Sequence, residues 1–196
     1  MSTPRQGPGR PREDRIDHSV LDATRKLLAH KGYAALTVDA VAAAAGVSKA
    51  AIYRRFGSKA EMAFRAAVHD NELPEPIDTG SLRGDLRALA YKIRASMGNP
   101  LSRQSGPALI AEVGKDPALA TRLREGALGV EVDYVRAILE RAVARGELAE
   151  LPDPAAVHLL MAGPMFYSLF GFQQSIADEL CERVAAVVAA GLLSGE

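Results

Sequence analysis

The sequence predicts an all-α fold with a three-helix helix-turn-helix head and a larger helical body, and three observations predict it. The composition is Ala-rich, only 5% aromatic and free of Trp, which suits helices better than a β-sandwich or barrel. Apolar residues recur every three or four positions in segment after segment, the period of a helix with one buried face. Residues 36–61 hold three helix starts in quick succession around a Gly-containing turn. At 196 residues the chain has room for one or two domains and a sizeable core.

Residues 1–12 are rich in Pro, Gly and Arg and form an arm that does not fold alone. Gly9-Arg10-Pro11-Arg12 resembles an AT-hook core, a basic arm that enters the narrow minor groove of A·T-rich DNA. The other reading of Arg10 and Arg12 is a solvated tail that adds only non-specific attraction. Residues 13–31 then form a first helix, with Ile16, Val20, Leu21, Ala23, Thr24, Leu27 and Leu28 at helical spacing. Gly32 ends it. Tyr33, in the following loop, is a candidate phosphate contact; covering the helix junction is its alternative role.

Thr37 caps a short helix and Ser48 caps a second, with Ala45-Gly46-Val47 between them. Two short helices joined by such a turn are a helix-turn-helix, whose second helix lies in the DNA major groove. On that second helix Ile52 and Phe56 are four apart and point inward. Lys49, Ala50, Tyr53 and Arg54 lie on the other faces, so Lys, Tyr and Arg stand beside a small alanine. Such a face can approach phosphates and base edges closely. Ser58 opens a third helix, and Glu61 three residues later completes a capping box. The helix that follows ends before Pro74. Residues 13–70 make the head, and residues 71–80, with Pro74, Pro76 and Gly80, make the linker.

The body spans residues 81–196. Ser81 caps a helix carrying Leu82, Leu86, Leu89, Ala90, Ile93 and Met97. Asn99-Pro100 and Gly106-Pro107 leave only a short apolar helix around Leu109, Ile110 and Val113. Asp116-Pro117 opens a long helix that runs to Arg145, with Gly126 and Gly129 as sites of a kink or close contact inside it. Asp153-Pro154 opens another, apolar nearly all round, over residues 153–170, kinked at Gly163-Pro164. The last helix covers residues 176–193.

Net charge is zero, but it is unevenly divided. Residues 1–68 hold 12 Lys/Arg and 6 Asp/Glu, a net +6; residues 69–196 hold 12 and 18, a net −6. A basic head on an acidic body suits a protein whose head alone meets DNA. Cys181 is the only cysteine, so no internal disulfide framework exists, which fits a reducing compartment. Without a signal-type or bilayer-length apolar run, the expectation is a cytoplasmic protein with no membrane partner. His18, His30, His69 and His158 share no metal-ligand spacing, and no nucleophile or phosphate-loop motif appears. No cofactor, metal or catalytic residue is expected, and the chain does not read as an enzyme. Cys181, on an apolar stripe beside Asp178, Glu179 and Glu182, reads as a buried inert thiol.

The run from Arg15 to Val68 closely resembles the DNA-binding head of the tetracycline-repressor (TetR) family. The residues that carry this are Gly32-Tyr33, Leu36-Thr37-Val38, Val41-Ala42, Ala45-Gly46-Val47-Ser48, Ile52-Tyr53, Phe56 and Ser58-Lys59. The resemblance implies an all-α homodimer of about nine helices per subunit, with a C-terminal ligand-binding and dimerisation body. It implies a transcriptional regulator, usually a repressor, that leaves a palindromic double-stranded operator when a small ligand binds. Carried over by position, Thr37, Lys49, Tyr53 and Lys59 are phosphate or groove contacts, and Ala50 and Arg54 face bases. The last two helices would pair with their mates across a two-fold axis. Tyr91, Met97, Leu109, Phe166 and Tyr167 are candidates to line a pocket for a hydrophobic or amphipathic ligand. The competing readings are a small helical enzyme or ligand carrier, for which no set of catalytic groups is found, and a DNA-bending protein, which leaves the acidic body unexplained.

Overall fold

The computed structural model describes residues 10–68 and 75–194, and every regular element among them is helical. Helix α1 (Arg10–Ala35) begins three residues before its expected start and is broken at Gly32. There φ is 69° and ψ is 174°, a conformation open to glycine almost alone, so the rod stops where the sequence expected and only a short turn continues to Ala35. The expected arm over residues 1–9 lies outside the described residues, as do the side chains of Arg10 and Arg12 and the whole of His69.

Helix α2 (Val38–Ala45) starts at Thr37, whose Oγ1 accepts from the Ala40 N–H at 3.2 Å. It ends at Gly46, in the left-handed conformation (φ 67°, ψ 32°). Helix α3 (Lys49–Phe56) follows at once, with Ser48 Oγ accepting from the Ala51 N–H at 3.1 Å. Helix α4 (Lys59–Val68) has its cap at Ser58, which accepts from the Glu61 N–H at 3.1 Å. The second half of the expected capping box is absent: the Ser58 N–H donates to Phe56 O instead. Glu61 is buried, and its carboxylate goes to a charged partner, Arg122, rather than to a backbone amide.

In the body, α5 (Leu82–Met97) starts at Ser81 and α6 (Pro100–Lys115) at Asn99. Helix α6 is longer than the short helix expected around Leu109, because Pro107 sits inside it without ending it. Pro107 and Arg103 are both exposed, so the missing backbone hydrogen bond lies on the outer side of the helix rather than in a core. The long helix expected from Pro117 to Arg145 is two helices, α7 (Pro117–Glu125) and α8 (Ala127–Ala144), parted at a non-helical Gly126. The two halves serve different cores. Leu119 and Leu123 of α7 pack on Ala60 of the head, whereas Tyr134, Val135, Ile138 and Leu139 of α8 enter the body core. A single straight rod cannot reach both. Helix α9 (Pro154–Phe166) carries Pro164 inside it and widens into a π-helical turn (Tyr167–Gly171) before α10 (Asp178–Ser194).

Two larger cores result. One joins α5, α8, α9 and α10 through Leu86, Ile138, Met161, Cys181 and their neighbours. The other fills the head with Val20, Leu21, Leu28, Val41, Ile52, Phe56 and Met62, and it is completed by Leu101 and Leu109 of α6. Helices α5 and α10 are also tied at the surface, where Arg87 Nε and the Tyr91 hydroxyl both donate to the Glu182 carboxylate at 2.7 Å. Arg87 first, then Tyr91, holds the Glu182 carboxyl down at about 2.

Candidate nucleic-acid interface

The head presents one consistent face. Ile52 and Phe56 are buried in its core, as their spacing predicts, and this fixes the rotation of α3. Lys49, Ala50, Tyr53 and Arg54 are consequently all exposed, Tyr53 by 51%. Arg55, on the same helix, is turned inward onto Asp17 of α1 at 2.6 Å. The caps matter beyond stability. Thr37 and Ser48 each use a hydroxyl oxygen to accept from their own helix and keep the O–H free to donate. Both are exposed at helix N-termini, where backbone amides and the helix dipole favour a phosphate.

One interaction on the exposed face of α3 is invisible in the sequence. Lys49 Nζ is paired with the Asp39 carboxylate of α2, which raises the Lys49 pKa chiefly by hydrogen bonding and then by charge. No spacing rule could find it, because the two residues lie on different helices across the Gly46 turn.

Tyr33 and Lys59 form a separate pair at the edge of this face. Lys59 Nζ sits 4.2 Å from the centre of the Tyr33 ring and donates to its carbonyl at 3.4 Å. Tyr33 is half-buried beside Glu112 of α6. Burial first, and then the Glu112 carboxylate, pushes its hydroxyl up to about 12. Its ring packs where the head core meets the small cluster around Leu119 and Leu123.

Behind α3 and α4, Arg122 Nε of α7 donates to Glu61 Oε2 at 2.9 Å. Ser102 Oγ of α6 donates to the Ala67 carbonyl at 2.5 Å. Both ends of α4 are thus held by body helices.

The five candidate ligand residues are not brought together. Leu109 is 1% exposed and belongs to the head core. Tyr91 and Met97 pack on the body core, and the Tyr91 hydroxyl is occupied by Glu182. Phe166 and Tyr167 are exposed, their rings against Phe170 and Phe172 respectively. Cys181 is fully buried, and burial pushes its thiol pKa up, away from the reactive thiolate. Among the described residues no group of three His, Cys, Asp or Glu could hold a metal ion, and no helix is long and apolar enough to cross a membrane.

Comparison with known proteins assigns both halves of the chain to one family. Residues 20–66 match the profile of bacterial regulatory proteins of the tetR family, and residues 76–188 match a tetracyclin repressor-like C-terminal domain. An uncharacterized HTH-type transcriptional regulator of Mycobacterium bovis is 38% identical over 143 residues, covering 72% of this chain and 68% of the relative. A protein of Mycobacteroides abscessus named as a DNA-binding transcriptional repressor is 34% identical over 143 residues, covering 71% and 74%. The crystal structure of the TetR family transcription regulator SCO0332 has a TM-score of 0.72 over 90% of this chain and 98% of its own, at 23% identity, and shares the fold.

Proposed function

The chain belongs to the TetR family of bacterial regulatory proteins and is a DNA-binding transcriptional regulator, and from that premise we propose that it is a repressor that binds a near-palindromic operator as a homodimer and leaves it when a small ligand binds the body. The observation that carries this is the exposed Lys49, Ala50, Tyr53 and Arg54 surface held over the buried Ile52 and Phe56. Lys49 and Arg54 supply the charge for phosphates and the donors for guanine, while Ala50 lets the backbone approach the bases. The repressor named in Mycobacteroides abscessus supports the direction of control.

Two heads are needed because one recognition helix reads only a few base pairs. Two related by a two-fold axis read half-sites about one helical turn apart. The face available for pairing is apolar: on α9 Leu159 is 69% exposed and Leu160 and Phe166 are exposed as well, Tyr167 is exposed at the start of the π-helical turn, and on α10 Val187 is 71% exposed. Exposure of this size on the last two helices supports a second copy of the chain as its partner. The function is exercised in the cytoplasm, where the operator is, and the chain performs no catalysis. Fluorescence anisotropy on the gene's own upstream DNA tests the reading. Tighter binding than to a scrambled duplex at physiological salt is expected, and equal affinity for the two would sink it.

A further inference from the structure

A cleft of about 260 Å³ opens where the end of α5, the start of α6, the π-helical turn and the segment before α10 converge. Its chemistry is mixed. Leu169 and Ile176 are buried and give it an apolar wall, and Ser175 and Asn99 add polar groups. Two cations, Arg94 and Arg103, line it within a body that carries net negative charge. Arg94 lies over the Tyr91 ring at 4.8 Å and pairs with Asp178 at the start of α10. Arg103 is exposed and makes no ion pair with any described residue. Asn99 caps α6 by accepting from the Ser102 N–H at 2.9 Å, so the positive end of α6 also faces this region. A volume of about 260 Å³ is room enough for a small aromatic or medium-chain acid.

We propose that this cleft binds a small organic anion, a carboxylate on an apolar body, through Arg94 and Arg103. This rests on reading the chain as a ligand-released regulator and names the chemistry of the ligand. The carboxylate competes with Asp178 for Arg94 and also pairs with Arg103, while the apolar body lies on Leu169 and Ile176. The cleft is wired to the head. Asn99 Nδ2 donates to the Ala67 carbonyl at 3.5 Å, and Ser102 one turn on donates to the same carbonyl. An occupant that shifts Asn99 therefore acts on the end of α4, and the two binding events become linked through a single small element.

The test uses the full chain with benzoate and hexanoate as probes, and benzamide and hexanamide as their neutral counterparts, at matched ionic strength. Both acids should raise the melting temperature and lower affinity for the upstream DNA, and the amides should do neither. Arg103→Ala, an exposed change that leaves the cores intact, should weaken acid binding about tenfold or more. It should leave DNA affinity without acid unchanged, and Arg103→Lys should recover part of the loss. Amides that match the acids, an Arg103→Ala protein that binds acids like the wild type, or no shift with either acid each overturn the proposal. Those outcomes leave sequence-specific DNA binding by the wild type untouched; the loss of that binding would refute the regulator reading instead, whatever the acids do.

Discussion

Asp39 carries the wrong charge for its position beside the helix proposed to meet DNA. Paired with Lys49, it holds that lysine in place and neutralises it until a phosphate competes. Replacing it by Ala should raise affinity for scrambled DNA more than for the upstream site, so the ratio of the two falls; anisotropy against both duplexes measures this. Arg54→Ala should cost about 1–3 kcal/mol and change the base preference. Lys59→Ala should weaken all sequences alike and reduce the salt slope by about one. At Gly46 nothing crowds an added Cβ, so Gly46→Ala isolates backbone strain in the left-handed region: about 1–2 kcal/mol, read from chemical denaturation. This scale was largely legible in the sequence. Caps, turn and inward-facing Ile52 and Phe56 follow from local spacing, and the outward face is what remains. Asp39 escaped because pairing across a turn is set by how two helices dock, and that is not a property of either helix alone.

The elements were legible as far as the contacts that shape them are local. Asp116-Pro117 and Asp153-Pro154 mark true starts because cap and proline act within one turn. The break at Gly126 was not legible as a break, since the cost of a mid-helix glycine is small and the decision lies with two distant cores competing for one rod. Pro107 misled for the opposite reason: a proline that normally stops a helix is tolerated where it lies on the exposed side of the helix. The ties between elements give two tests. Arg122→Met should leave the Glu61 carboxylate buried and unpaired and destabilise the fold by about 1–3 kcal/mol, measured by urea denaturation. Glu182, with its pKa lowered from 4.5 to about 2, should contribute to stability above the ordinary carboxylate range and lose that contribution as pH falls from about 4.5 through 2. Arg87→Ala should flatten this part of the stability–pH curve.

At the scale of the whole molecule the charge asymmetry and the apolar C-terminal pair of helices are legible in composition and periodicity, and Leu159 and Val187 are exposed on those two helices. Changing both to Glu should convert a dimer to a monomer by light scattering and abolish tight operator binding while the head stays folded. Which residues would line a ligand pocket was not legible. Aromatic and Met residues at helical spacing are equally good core and surface residues, and only the fold shows that Leu109 serves the head while Tyr167 faces outward.

Leu109 and Leu101 carry one more consequence. The head's interior is closed by a helix that the chain reaches only after passing the linker and the whole of α5. A fragment ending at Val68 would uncover the faces of α1 and α4 that α6 packs against, and it should behave as a partly unfolded chain by circular dichroism. For the same reason, transplanting this head onto a foreign scaffold works only if the scaffold brings its own matching apolar lid. The specificity of such a chimera and its solubility are then set by different parts of the sequence, and success with one is no guide to the other.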